Sequence, residues 1–176
     1  MIDLGVVMTD LDGQEVAEGG EARLFLRIDP AHPERLDQGA AAVNGFSIER
    51  WRTLETVSQS QAVDAWLEFH ERLAEGKSVI FCAYNAWFDI AFVDHMFRSV
   101  GRSWRSLFHY HVIDIPSMLW GLGLTHLGGD ELCRLIGVEP ETTDPLEHTG
   151  ISGAVSNVEV YRALLALRQR QGAPRL

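Results

Sequence analysis

The chain has 176 residues, enough for one domain with a single sizeable core. Its hydrophobic share is 46%, yet no apolar run approaches the roughly 18 residues of a membrane span, and the N-terminus lacks the basic-then-apolar pattern of a signal peptide, so a soluble cytoplasmic protein is expected. With 25 acidic against 15 basic side chains the net charge is −10, which argues against a broad electrostatic grip on nucleic acid; 14 of the bases are Arg, so a local Arg-lined cleft stays compatible.

In chain order, "MIDLGVVMTDLDGQEV" reads as a strand, a turn at Asp12-Gly13 and the start of a second strand, because Asp-Gly between apolar runs is a hairpin signal. "ARLFLRIDP" alternates Leu24, Leu26 and Ile28 with Arg23, Phe25 and Arg27 and stops at Pro30. The opening is thus a two- or three-stranded antiparallel unit. "AHPERLDQGAAAVNGFS" reads as turn-rich and irregular. From Ser60 to Ala74, Val63, Trp66, Leu67, His70 and Leu73 fall on one helical stripe with Gly76 as its stop, and His70 reads as a core-edge histidine.

"SVIFCAYN" is an apolar run too short for a helix and fits a strand covered on both faces. "DIAFVDHMFRSVG" follows as a helix that begins at Asp89 and turns Ile90, Val93, Phe97 and Val100 inward. "LFHYHVIDIPSML" reads as a strand closed by Pro116, "DELCRLIGV" as a short helix, "EPETTDPLEHTG" as a polar loop and "SGAVSNVEVYRALLALRQRQ" as a C-terminal helix. An opening hairpin followed by strand-helix alternation is the order of a mixed α/β sheet with helices on both faces. Cys82 and Cys133 match no metal or redox spacing and read as free buried thiols. His109 and His111 share a strand face at a spacing that can bind zinc, with no third ligand nearby in sequence. Trp87, Trp104 and Trp120 are candidates for base stacking or for packing.

Asp89 stands at the carboxyl end of a strand, where α/β sheets collect ligand groups, though a helix N-cap explains an aspartate there equally well. A second polar element, "EHTGISGA", leads into the last helix. Together the two stretches resemble the DnaQ-like (DEDDh) family of 3′-to-5′ exonucleases. Asn85, Phe88 and Asp89 reproduce its N-x-x-F-D motif, and His148 and Ala154 match its H-x-x-x-x-D-small motif, with Gly153 in the aspartate position. "IDLGVV" looks like the family's second strand and "AAVNGFS" like the segment bordering the substrate cleft; "HYHVIDIPSM" and "LCRLIGV" look like the later strand and helix, so the resemblance covers nearly the whole chain.

The resemblance implies a ribonuclease H-like α/β fold, a mixed five-stranded sheet flanked by helices, in a single exonuclease-fold domain over residues 1–176. It implies hydrolysis of single-stranded or frayed 3′ ends of DNA or RNA by two Mg²⁺ or Mn²⁺ ions, with His148 as the base, Asp89 as a metal ligand, and Asn44, Phe46, Asn85 and Phe88 bordering the substrate. Two departures strike the metals. The family's first motif, D-x-E on the central first strand, has no counterpart, since Asp3 in "MIDLG" would put Gly5 where a glutamate is required; and Gly153 has no side chain. One of four carboxylates remains, a poor site for Mg²⁺, and this chain is expected to bind metal weakly or not at all. Asp144 and Glu147 are the loop carboxylates considered as substitutes. The expectation for the missing strand is that Met1 is an internal methionine of a longer chain, or that another copy or a partner supplies a strand. The rival functions are a catalytically silent nucleic-acid-binding module, favoured by Gly153, and a structural subunit, favoured by the absent strand.

Overall fold

A computed structural model of the protein describes residues 1–125, 129–170 and 172. The chain opens with β1 (Asp3–Val7) antiparallel to β2 (Arg23–Arg27), Leu4 opposite Leu26 and Val6 opposite Leu24. Helices α1 (Gln38–Asn44) and α2 (Ile48–Trp51) follow, then the long α3 (Gln59–Ala74). Strand β3 (Val79–Ala83) leads through α4 (Ala86–Ser99) to β4 (Phe108–Asp114), which lies parallel to β3. Helices α5 (Ile115–Gly121), α6 (Gly129–Ile136) and α7 (Gly150–Arg170) complete the chain.

The main core follows from the sequence pattern. Leu4 and Ile28 from the hairpin region, Val63, Trp66 and Phe69 from α3, Ala83 at the end of β3, and Ile90, Val93 and Phe97 from α4 are buried together. Its centre is aromatic: the Trp66 ring meets Phe97 edge-on at 5.6 Å and Phe108 at 6.0 Å, arrangements that add to simple area burial. Ser58 caps α3 by a reciprocal box with Gln61, which fixes where that stripe begins. His70, at the edge of the same stripe, is half-buried with its ring 5.7 Å from Phe108, and desolvation lowers its pKa. A second, smaller core of Ile115, Leu119, Leu132, Cys133, Val160 and Leu164 joins α5, α6 and α7.

The molecule is a mixed α/β protein, but the expected five-stranded sheet is not what it contains. Among the described residues four strands form two separate pairs, β1–β2 and β3–β4, which share one core. The hydrogen-bond parity of the hairpin shows where the ladder stops. Ile28 N–H donates to Ile2 O (2.7 Å) and Met8 N–H to Ala22 O (2.8 Å), so the even residues of β1 bond β2. Asp3, Gly5 and Val7 therefore turn their backbone groups to the opposite edge, where no backbone partner meets them among the described residues. The outer edge of β2 is partly covered, since Val57 N–H donates to Arg27 O (2.9 Å) and Asp29 N–H to Val57 O (2.9 Å).

Local expectations are corrected at six places, the first being Cys82, which is exposed on β3 although it reads as a buried thiol, while Cys133 is buried. The segment after Asp12-Gly13 forms only an isolated bridge between Thr9 and Glu15, because the Asp10 carboxylate accepts from the Asp12 and Gln14 amides and closes a tight turn; the strand that pairs with β1 is the later Arg23–Arg27. The stretch read as irregular contains α1, capped by Asp37 through the Ala40 amide and ended by Gly45 at φ 62°. Pro116 does not only close a strand: it sits in the first turn of α5, where a missing N–H costs nothing. Helix α4 begins at Ala86, so Asp89 lies within its first turn instead of opening it. His109 and His111 do not stand side by side on a regular strand face. Val79 pairs with Phe108 and Phe81 with Val112, so β4 bulges between them and the His109, Tyr110 and His111 rings gather at centroid distances of 4.1–4.8 Å.

Candidate functional site

Three distant parts of the sequence meet at the start of α7. Thr149 and Ser152 cap this helix reciprocally, Thr149 N–H to Ser152 Oγ at 2.9 Å and Ser152 N–H to Thr149 Oγ1 at 3.2 Å. That cap presents Gly150 to β1. The Gly150 N–H donates to the Asp3 carboxylate (3.1 Å), a contact across 147 positions of sequence. A methyl group on Gly5 would collide with the Gly150 carbonyl, so helix and strand touch backbone to backbone. Glycine at both positions is what allows this approach.

His148 immediately precedes the helix and is about one-third exposed. Its Nδ1 lies 3.3 Å from Glu141 Oε1 and 3.4 Å from the Thr142 carbonyl. Glu141 is held in turn by the Ser152 hydroxyl at 2.7 Å. On the other side Asp3 is close enough for the His148 charge to act on it. Burial pushes the Asp3 carboxyl above its ordinary value, opposed by the Gly150 amide, by Arg27 and by His148. The segment expected to border a substrate also arrives here: Arg50 donates to the Gly45 carbonyl (2.8 Å) and to the Leu146 carbonyl (3.4 Å), tying the α1–α2 turn to the loop that carries His148. Within that turn Asn44 Oδ1 accepts from the Phe46 amide (3.0 Å). The Phe46 ring is buried against Trp51 at 5.0 Å and serves packing.

The other expected residues cluster on α4. Asn85 takes the left-handed conformation (φ 58°) at the junction of β3 and α4 and makes no capping bond. A non-glycine residue held there is strained, a feature that concentrates at functional sites. Burial is the leading cause raising the Asp89 carboxyl above its ordinary range. Phe88 is 62% exposed and stacks on Phe92 at 5.0 Å, and Trp87 is 68% exposed. No hydrogen bond or ion pair joins Asn85 or Asp89 to His148 among the described residues.

Three groups the sequence reading passed over are part of this architecture. Asp3, set aside because it does not fit the D-x-E spacing, is the carboxylate that meets α7. Glu141, and neither of the two loop acids considered, reaches His148: Asp144 accepts from the Leu146 amide (2.9 Å) and Glu147 from Thr142 Oγ1 (3.2 Å), so both are engaged within the loop. Asp114, at the end of β4, accepts from the Ala86 amide (3.0 Å) and the Ser117 amide (3.1 Å) and thereby fixes the starts of both α4 and α5. Only Asp114 has a sequence signal, an aspartate two residues before a proline at a strand end.

An open groove of about 400 Å³ runs beside the cluster, with Glu139, Glu141, Ser152 and Glu159 along it. Arg23, the one cation along it among the described residues, is paired with Glu15 at 2.6 Å. Three acids and a neutralised guanidinium repel phosphate unless cations intervene. Among the described residues no three His, Cys, Asp or Glu side chains converge as a metal-binding group. No helix of the described residues is long and apolar enough to cross a membrane. No family model matches the chain, and no curated protein matches it.

Proposed function

We propose that the chain is a DnaQ-like 3′-to-5′ exonuclease-fold domain directed at single-stranded or frayed 3′ ends, with an incomplete two-metal site. The observation that carries this reading is the meeting of the His148 turn, the Asn44–Phe46 segment and β1 in one place, through Arg50 to Leu146 and Asp3 to Gly150. The family resemblance assigns the first of these to the base, the second to the border of the substrate cleft and the third to the second strand. In this reading His148 is the proton acceptor, Asp89 is one carboxylate of the metal site, and Mg²⁺ or Mn²⁺ would supply water activation and leaving-group stabilisation. Asn85 and Phe88 flank the 3′ end, Asn85 with an uncommitted amide and Phe88 with an exposed ring.

The missing acids make the second reading specific: a silent binding or structural module whose unpaired β1 edge takes up a strand from another copy or a partner. The backbone groups of Asp3, Gly5 and Val7 support it, because an extended segment is the partner that satisfies a row of alternate donors and acceptors.

One experiment separates the two. The 176-residue chain, incubated with a 3′-labelled single strand and Mg²⁺, should leave it intact. A version with an added N-terminal strand carrying D-x-E together with Gly153→Asp should shorten it from the 3′ end, and His148→Ala should abolish that. Neither restoration alone should suffice, a strongly non-additive result. An inert double-restored chain would sink the exonuclease reading. Cleavage by the unmodified chain that His148→Ala removes would show the site to be complete without the added acids.

A further inference from the structure

The surroundings of His148 define more than its place. Its Nδ1 faces two oxygens, Glu141 Oε1 at 3.3 Å and the Thr142 carbonyl at 3.4 Å. A carbonyl never donates, and an ionised carboxylate cannot. A lone pair on Nδ1 would therefore point at two acceptors, whereas a proton there satisfies both. We propose that Glu141 is a positioning residue that holds neutral His148 as the Nδ1–H tautomer and leaves the lone pair on Nε2. The inference rests on the reading of His148 as the proton acceptor for its functional meaning, though the tautomer itself does not depend on substrate.

Glu141 is suited to this because it is itself fixed. The Ser152 hydroxyl reaches its Oε1 at 2.7 Å, and Ser152 is locked by the reciprocal cap with Thr149. The start of α7 thus sets the carboxylate, the carboxylate sets the ring, and the ring presents Nε2. When Nε2 takes a proton the ring becomes an imidazolium, with Nδ1–H still directed at Glu141 and the Thr142 carbonyl. This is the general logic of a carboxylate that orients a histidine from the far side. Asp3, the other acid close enough to sense His148, is bonded to the Gly150 amide, and no bond joins it to the ring among the described residues.

The test is a long-range ¹H–¹⁵N correlation spectrum of the ¹⁵N-histidine-labelled full chain, recorded at a pH where the ring is neutral. Wild type should show His148 protonated on Nδ1. Glu141→Ala should shift the ring toward the Nε2–H form that free histidine favours, and Glu141→Gln should keep Nδ1–H because its amide oxygen accepts in the same place. Backbone amide shifts of α3 and α4 serve as the control for folding. A wild-type ring protonated on Nε2, or a Glu141→Ala ring still fully Nδ1–H, would overturn the proposal; the second would assign the role to the Thr142 carbonyl alone. In the double-restored nuclease, Glu141→Ala should lower kcat by about 10–100-fold with KM little changed. If that restored chain is inert, the exonuclease reading fails while the tautomer result stands or falls separately.

Discussion

The two faces of the hairpin β1–β2 are covered in different ways. On the face toward α3, Leu4, Val6, Leu24 and Leu26 meet a lattice of large side chains centred on Trp66 and Phe97. On the face toward α7, Asp3 and Gly5 meet Gly150 by one amide-carboxylate bond and a backbone contact. The first face gains its stability from buried apolar area, the second from fit and hydrogen bonding. A face closed by backbone contact leaves room for polar groups, and the His148–Glu141–Asp3 cluster sits where that room is.

The largest test of this contrast is Trp66→Ala. It removes the hub of the apolar face and should cost about 3–5 kcal/mol in urea unfolding. Leu164→Ala in the smaller core should also be costly, about 2–5 kcal/mol, but it should leave the aromatic ring-current shifts around Phe97 and Phe108 in place. A Trp66→Ala variant as stable as wild type would show that the apolar face does not dominate.

Gly5→Ala probes the other face. The added methyl would collide with backbone atoms of Gly150 and Ile151, and backbone cannot swing away as a side-chain tip can. The expected cost is about 1–3 kcal/mol, with the Gly150 amide resonance moved as the helix start lifts from β1. An unshifted Gly150 amide would mean that the close approach is not maintained in solution. Smaller again is Thr149→Ala, which removes one half of the α7 cap and should cost about 1 kcal/mol in the same unfolding assay.

The smallest effect has a distinctive pH dependence. Burial raises the Asp3 carboxyl above 3.8, so its ionised form costs the folded state stability at neutral pH. As pH falls through the raised folded value, the folded protein takes up a proton before the unfolded chain does, and the cost is relieved. Asp3→Asn should therefore raise Tm near pH 7, and the difference from wild type should close as pH falls through the folded pKa and vanish below 3.8. A difference that grows on acidification would show that the Gly150 and Arg27 contacts outweigh desolvation.

The apolar side of this comparison was largely legible in the sequence, and the polar side largely was not. The α3 stripe and the α4 periodicity announce themselves by the spacing of Val63 and Trp66 and of Ile90 and Phe97, because burial imposes a period. Helix α1 was missed because "QGAAAVN" has no apolar stripe, and only the Asp37 cap and the Gly45 stop mark it. Glu141 was missed for a different reason. In "EPETTDPLEH" several acids are equivalent by type and position, and what selects Glu141 is the Ser152 hydroxyl, a contact that exists only once α7 has formed. The separation of the strands into two pairs departs from the expected five-stranded sheet, and the use of Asp3 against α7 was not legible either, since a lone aspartate in a strand carries no periodic signal.

The parity of β1 has a consequence for solvent exchange. Leu4 and Val6 direct their amides into the ladder with β2, while Gly5 and Val7 direct theirs to the edge, where no backbone partner meets them among the described residues. Deuterium should enter this one strand in a sawtooth, fast at Gly5 and Val7 and slow at Leu4 and Val6, although all four residues lie within a few ångströms of one core. A strand docked on that edge would flatten the sawtooth from the fast side alone, so the exchange profile of five consecutive residues reports whether the edge is occupied.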